Sequence, residues 1–368
     1  MNPFRSIAGG LALALLLLAG CDSGPLRIGF IGGLTGRNAD LGLAGRNGAL
    51  LAVEQRNQAG GVHGRRVELL IRDNAQTPEI AIKATKELVA AQVEAIVGPL
   101  TSAMAKVILP VTEQAKLVMV SPTVTAVEFA GQDDQFFRLP STTRDYTRAS
   151  ATFHYHQRGQ RRIAVAYDVR NRAFSESTLN DFRSTFSELG GVIPLAIPFE
   201  SSAETTFADI IDNLLQTQPD ALLFIAGAVD TARLAQQARK QAPDLPLIAP
   251  EWAATEQLIE LGGRAVEGLY LAQFFNRDDP TPRYQAFRKA YQARFQQEPG
   301  FASLAAYDAT NVVLDALSRR TDGQSLKETL LHTSFQGIQQ PIAFDRFGDA
   351  QRPTFITVVR DGRFVIIE

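Results

Sequence analysis

A single cysteine, Cys21, stands in the 368 residues, so no disulfide can form within the chain and its fold must rest on core packing. Histidine is nearly as scarce, at four. His154 and His156 are two residues apart, which on a helix turns them to different faces, and no Cys/His spacing of a zinc site occurs. Charge of one sign is also lacking. With 37 basic and 39 acidic residues the net charge is −2, which gives no basic field to attract nucleic acid. After Cys21 no apolar run reaches the roughly 18 residues needed to span a bilayer. No Gly-x-Ser-x-Gly elbow is present. Gly29-Phe30-Ile31-Gly32-Gly33 has the wrong spacing for a dinucleotide fingerprint, and no Walker-type Gly-Lys-Ser/Thr exists. Together these absences argue against an enzyme, a metal site and a bound cofactor.

What is present begins with an address. Met1 to Arg5 is a short basic start and Leu11 to Leu18 a purely apolar run of Leu and Ala. Such a segment is too short for a stable transmembrane helix and fits an export signal over residues 1–20. Leu18-Ala19-Gly20-Cys21 resembles a bacterial lipobox. That resemblance implies cleavage before Cys21 and an acyl lipid on it, anchoring the chain to a membrane in the cell envelope. Asp22 resembles the signal that retains lipoproteins at the inner membrane, which implies its periplasmic side in a cell with two membranes.

The remaining roughly 350 residues exceed what one hydrophobic core usually serves, so two lobes are expected. Short apolar runs alternate with amphipathic stretches. Strands are predicted at Leu26–Ile31, Val67–Ile71, Ala95–Val97 and Leu117–Val120, with helices between them. The rhythm restarts with strands at Ile163–Tyr167, Val192–Ile197, Ala221–Ile225 and Leu245–Ile248. Two late helices follow, lined by Phe287, Tyr291 and Phe295 and by Ala305 to Leu317. The chain ends in a predicted hairpin around Asp361-Gly362. The fold class is therefore α/β, with two doubly wound parallel-sheet lobes. No Ser/Pro-rich linker separates them, so a multi-strand hinge is expected. The expected division is 26–141 plus 276–337 for lobe I and 142–275 plus 338–368 for lobe II.

In open α/β sheets ligands bind beyond the carboxyl ends of strands. Ser102 and Thr125 are predicted there at helix starts, where a hydroxyl and free N–H groups suit a carboxylate. Glu251 is predicted to face them from the other lobe. Taken singly, the first two are ordinary caps and the third a solvated loop acid. Taken jointly, they match a zwitterion.

Further segments carry a second resemblance: Ile28-Gly29-Phe30 with Leu34-Thr35-Gly36 and Gly42; Ala59 to Val62 with Gly64-Arg65; Asp73-Asn74; Val97-Gly98-Pro99; Val120 to Thr123; Phe137-Arg138; and Tyr307-Asp308-Ala309. In order and spacing they resemble the branched-chain-amino-acid-type (Leu/Ile/Val-binding) periplasmic binding proteins of ABC importers. The resemblance implies a bilobed, type I fold and a small ligand, an amino acid, closed between the lobes and passed to a membrane permease. It places the ligand-carboxylate hydroxyl at Ser102, further polar contacts at Thr123 and Thr125, the acid for the ligand ammonium at Glu251, a first-lobe pocket residue at Leu41 and an aromatic lid near Phe174. At Ala226-Gly227 the chain departs from the family, which carries an aromatic residue there. Trp252 either fills part of that space or packs against the hinge. The alternative is a bilobed lipoprotein acting as a regulator or sensor through protein–protein contact.

Overall fold

The computed structural model describes residues 24–36, 39–202 and 204–368; the expected signal and Cys21 lie outside them. Five strands, β1 (Leu26–Gly32), β2 (Val67–Asp73), β3 (Ile96–Val97), β4 (Met119–Ser121) and β5 (Phe136–Arg138), form an all-parallel sheet in the order β2-β1-β3-β4-β5. A second parallel set is β6 (Ile163–Asp168), β7 (Ala196–Phe199), β8 (Ala221–Ile225), β9 (Leu247–Pro250) and β10 (Tyr270–Gln273). Between β12 (Pro341–Ile342), which pairs only with β11 (Phe335–Gln336), and the chain end lie β13 (Phe355–Arg360) and β14 (Arg363–Ile366). These last two add antiparallel to β10 and complete the order β14-β13-β10-β9-β8-β6-β7.

Period-2 alternation explains why helices cover both faces of the first sheet. Phe30, Val97, Val120 and Phe137 belong to one core body, while their chain neighbours Ile31, Ile96, Met119 and Phe136 belong to another. Helices Pro78–Ala90 and Ser102–Gln114 cover the second body through Leu88, Met104 and Ile108. On the opposite face, helix Ala39–Gln58 packs against the late helix Phe301–Arg319. Gly48 permits this approach, because a Cβ there would lie 2.0 Å from the Ser303 carbonyl oxygen. Removing one large core ring such as Phe137 would cost about 3–5 kcal/mol.

The chain passes between the sheets three times: between β5 and β6, between β10 and helix Pro282–Phe295, and between β12 and β13. The crossings are stitched together. Ser141 Oγ donates to the Arg352 carbonyl at 2.9 Å and accepts from its N–H at 2.8 Å. The Arg352 guanidinium reaches Asp308 at 3.3 Å, and Asp308 also accepts from the Ile338 N–H at 2.9 Å. Arg138 is buried, bonded to Asp349 through Nε at 2.8 Å and to the Ala126 carbonyl at 2.9 Å. The Phe137-Arg138 and Tyr307-Asp308 segments thus build the hinge.

Five strands differ from expectation. β5, β10 and the short pair β11 and β12 carried no separate signal. β7 starts at Ala196 instead of Val192, because Pro194 lacks an N–H for the ladder and Val192 makes only an isolated bridge to Arg162. No helix among the described residues is long and apolar enough to cross a membrane.

Candidate functional site

Both sheets reverse their strand order next to their first strand, β1/β3 in one and β6/β8 in the other. The loops at the carboxyl ends of β3, β4, β6 and β9 meet between the lobes. Gly98 turns the chain out of β3 with a φ of 119°, and a Cβ there would sit 2.2 Å from the Ile31 carbonyl oxygen. That turn delivers Leu100 and Ser102 to the cleft. β9 ends in a single 3-10 turn, Glu251–Ala253, which presents Glu251 and Trp252 from the opposite side.

The structure brings Leu41, Ser102, Thr123, Phe174, Glu251 and Trp252 to one cavity of about 20 Å³, together with Asn171. Ser102 is the first residue of its helix, as expected, and its Oγ accepts from the Ala126 N–H at 3.4 Å. Thr123 donates to the Leu100 carbonyl at 2.6 Å, which fixes one cleft loop on the other. Thr125 is not at a helix start. Only a 3-10 turn, Val127–Phe129, follows it, so no helix N-terminus backs this hydroxyl. Its Oγ1 instead donates across the cleft to Glu251 Oε1 at 3.0 Å. Glu251 is 5% exposed and is no solvated loop acid. Burial pushes its carboxyl up to about 7, opposed by its own backbone N–H and by Thr125. Among the described residues no basic side chain pairs with it. Trp252 lines the cavity and meets Phe174 edge-on, at 5.5 Å between ring centroids. Gly227 is apart from this group, serving as the N-cap of helix Ala228–Gln241.

Asn171 escaped the sequence reading. Its Oδ1 accepts from the Ala103 N–H at 3.0 Å, occupying a donor in the first turn of helix Ser102–Gln114 from the other lobe. Thr255 donates to Asp40 at 2.6 Å and Ser177 accepts from the Val127 N–H at 3.2 Å, so these two bonds join those of Asn171 and Thr125 in tying the described walls together. The lobes are closed on each other. A cavity of about 20 Å³ has room for about one water, so a larger ligand enters only when the walls part. His154 lies far from this cleft, as an edge-on partner of Phe153 and Tyr270, and burial drops its imidazole to about 3. Among the described residues no cluster of His, Cys, Asp and Glu is arranged to hold a metal.

Two switch-point sheets, a three-stranded hinge and an interlobe pocket of polar side chains define a bilobed solute receptor. The chain belongs to the periplasmic binding protein family, whose model matches residues 25–363. The leucine-, isoleucine-, valine-, threonine- and alanine-binding protein of Pseudomonas aeruginosa is 26% identical over 335 residues, 90% of this chain and 88% of that one. A leucine-binding protein from Thermotoga maritima superposes with a TM-score of 0.85 at 27% identity, covering 93% of this chain and 98% of that chain. A solute-binding protein of an ABC transporter from Rhodopseudomonas palustris, in complex with 3,4-dihydroxybenzoic acid, has a TM-score of 0.83 at 22% identity, covering 94% and 96%. These relatives are solute-binding proteins, not enzymes.

Proposed function

We propose that this chain is an extracytoplasmic solute-binding lipoprotein that captures an amino acid between its lobes and delivers it to an ABC importer permease. One observation carries the reading: a buried carboxylate, Glu251, faces the hydroxyls of Ser102, Thr123 and Thr125 across the cleft, with no described basic side chain beside it. The ligand ammonium supplies the missing cation. Its carboxylate takes the Ser102 end of helix Ser102–Gln114, and Leu41, Phe174 and Trp252 enclose its side chain. The named ligands of the Pseudomonas and Thermotoga relatives support an amino acid. The ammonium contact, worth roughly 1.5–3 kcal/mol, forms fully only on closure, so ligand shifts the population to the closed form that a permease reads. The lobes divide at the three crossings, and because β12 pairs with β11 before the last of them, Pro341–Ile342 goes with the first lobe and not, as the expected boundary at 337/338 has it, with the second. The anchor is an acyl lipid on Cys21, and a Cys21→Ser variant is expected in the soluble fraction instead of the membrane fraction.

The Phe174–Trp252 pair and the dihydroxybenzoate-bound relative favour a second reading, an aromatic acid. It is the weaker one, because an anionic acid offers no cation to a buried carboxylate. Thermal unfolding with each of the common amino acids, and separately with benzoate, decides between them. At 100-fold excess over Kd a true ligand adds about 2.7 kcal/mol, a rise of a few degrees in a chain this size. Glu251→Gln removes most of that rise for an amino acid. No shift with any amino acid or with benzoate overturns the importer reading in favour of the regulator, and a shift with benzoate alone selects the aromatic acid.

A further inference from the structure

Behind Glu251, on the side away from the first lobe, lies a second cavity of about 10 Å³. Its walls come from the second lobe alone: Tyr146 of helix Thr143–His156, Thr178 and Phe182 of helix Arg172–Glu188, Leu223 of β8, Pro250 of β9, and Glu251 itself. Tyr146 and Thr178 are only 2% and 3% exposed. Neither Tyr146 Oη nor Thr178 Oγ1 has a hydrogen-bond partner among the described residues. A buried hydroxyl left in that state costs about 1–3 kcal/mol, and two of them facing one small cavity beside a carboxyl group call for a shared partner. Of the other hydroxyls lining the chamber, Thr143 bonds to Ser177 and Asp181 at 2.7 Å each, Thr147 donates to the Arg144 carbonyl at 3.3 Å, and Ser150 adds a further hydroxyl to the wall.

The geometry points to a buried-water site in this chamber, bridging Tyr146 Oη and Thr178 Oγ1 to the Glu251 carboxyl, with Tyr146 and Thr178 acting as positioning residues for Glu251. The volume suits one water and no larger group, and three polar partners match the number a buried water ordinarily has. Since every wall belongs to one lobe, the site persists when the cleft opens. Its consequence is a donor held permanently behind the carboxylate. When Glu251 ionises, the water turns its proton toward it, and Tyr146 and Thr178 complete the network. The Tyr146 phenol is pushed well above its ordinary value first by burial and then by the Glu251 charge, opposed by Arg352 and by the Ser141 backbone. The other charges on these walls are peripheral. Arg352 and Asp145 act on Tyr146, Asp181 bonds outward to Thr143, and strands β8, β9 and β10 contribute no charged side chain to the cavity.

This inference rests on Glu251 being the site acid but not on the identity of the ligand, and it can be read without one. The carboxyl C=O stretch of Glu251, isolated by infrared difference against Glu251→Gln across pH 5–9, gives the midpoint of its ionisation in the protein. Tyr146→Phe and, independently, Thr178→Val remove one arm of the network each and raise that midpoint by about half a unit or more. Thr178→Ser, which keeps the hydroxyl, restores it. A high-resolution crystal structure of the same protein shows density for one water within hydrogen-bond reach of all three groups. An unchanged midpoint in both variants, or a chamber filled by a ligand atom instead of water, overturns the assignment. If the midpoints shift as stated while neither any amino acid nor benzoate raises the melting temperature, the water site stands and the importer reading fails.

Discussion

Asp308 at the hinge and Glu251 in the cleft are both removed from water, 2% and 5% exposed, and burial pushes both carboxyls up. Their company differs. Asp308 has a guanidinium at 3.3 Å and a backbone N–H at 2.9 Å, all supplied by the fold. Glu251 has a threonine hydroxyl from the opposite lobe and no described cation. The hinge has met its electrostatic requirement internally, while the cleft leaves its own to be met by something that arrives. Structural and receptive carboxylates can be told apart on that ground, where burial alone would class them together.

Breaking the hinge pair should produce the largest effect. Arg352→Met leaves Asp308 uncompensated and is expected to cost about 3–5 kcal/mol, read by denaturant unfolding. The double variant Arg352→Met/Asp308→Leu should recover most of it. A loss under 1 kcal/mol in the single variant would erase the distinction drawn above.

The cleft acid should respond to pH in the opposite sense to an ordinary paired carboxylate. Its value is raised from 4.5 to about 7, so the fold favours the neutral form. Its contribution to stability is then full below pH 4.5 and is lost as pH rises toward 7. Against Glu251→Gln, the ligand-free wild type should lose ground steadily across that window and run parallel above it. Affinity for an amino acid should rise with pH over the same range, because the ammonium pairs with the ionised form. Parallel stability curves from pH 4.5 to 7 would place Glu251 among the paired carboxylates.

The smallest effect concerns the contacts between the walls. Asn171→Ala frees the Ala103 N–H and removes roughly 0.5–1.5 kcal/mol from the closed arrangement. The ligand-free radius of gyration from small-angle X-ray scattering should grow, with unfolding stability nearly unchanged. An equal loss of global stability would mean that this bond belongs with the hinge.

The sheets were legible because β1, β6 and β8 are short, nearly continuous apolar runs, as strands covered on both faces must be, and because amphipathic stretches separate them. β5 and β10 were not, since Phe136–Arg138 and Tyr270–Gln273 become strands only by pairing with β4 and with β9 and β13. Six expected residues do meet in one cavity, Ser102 and Glu251 as their positions after strand ends suggested and Leu41, Thr123 and Phe174 as the family resemblance implied, with Trp252 beside Glu251. Thr125 was misjudged because a Ser/Thr/Pro cluster reads as a cap whether an α-helix or a single 3-10 turn follows it. Asn171 and Tyr146 gave no local sign at all. One matters through a backbone N–H 68 positions away and the other through a chamber closed by five separate segments.

The late arrival of β13 and β14 has a bearing on how the molecule is made. The first lobe lacks the cladding of helix Phe301–Arg319, and the second lacks its two outermost strands on one side, until residues near the end of the chain are available. A nascent polypeptide therefore has no finished half on which to settle during synthesis. The two lobes reach completion together, and a chain truncated anywhere before residue 355 leaves the exposed edge of β10 open to intermolecular pairing.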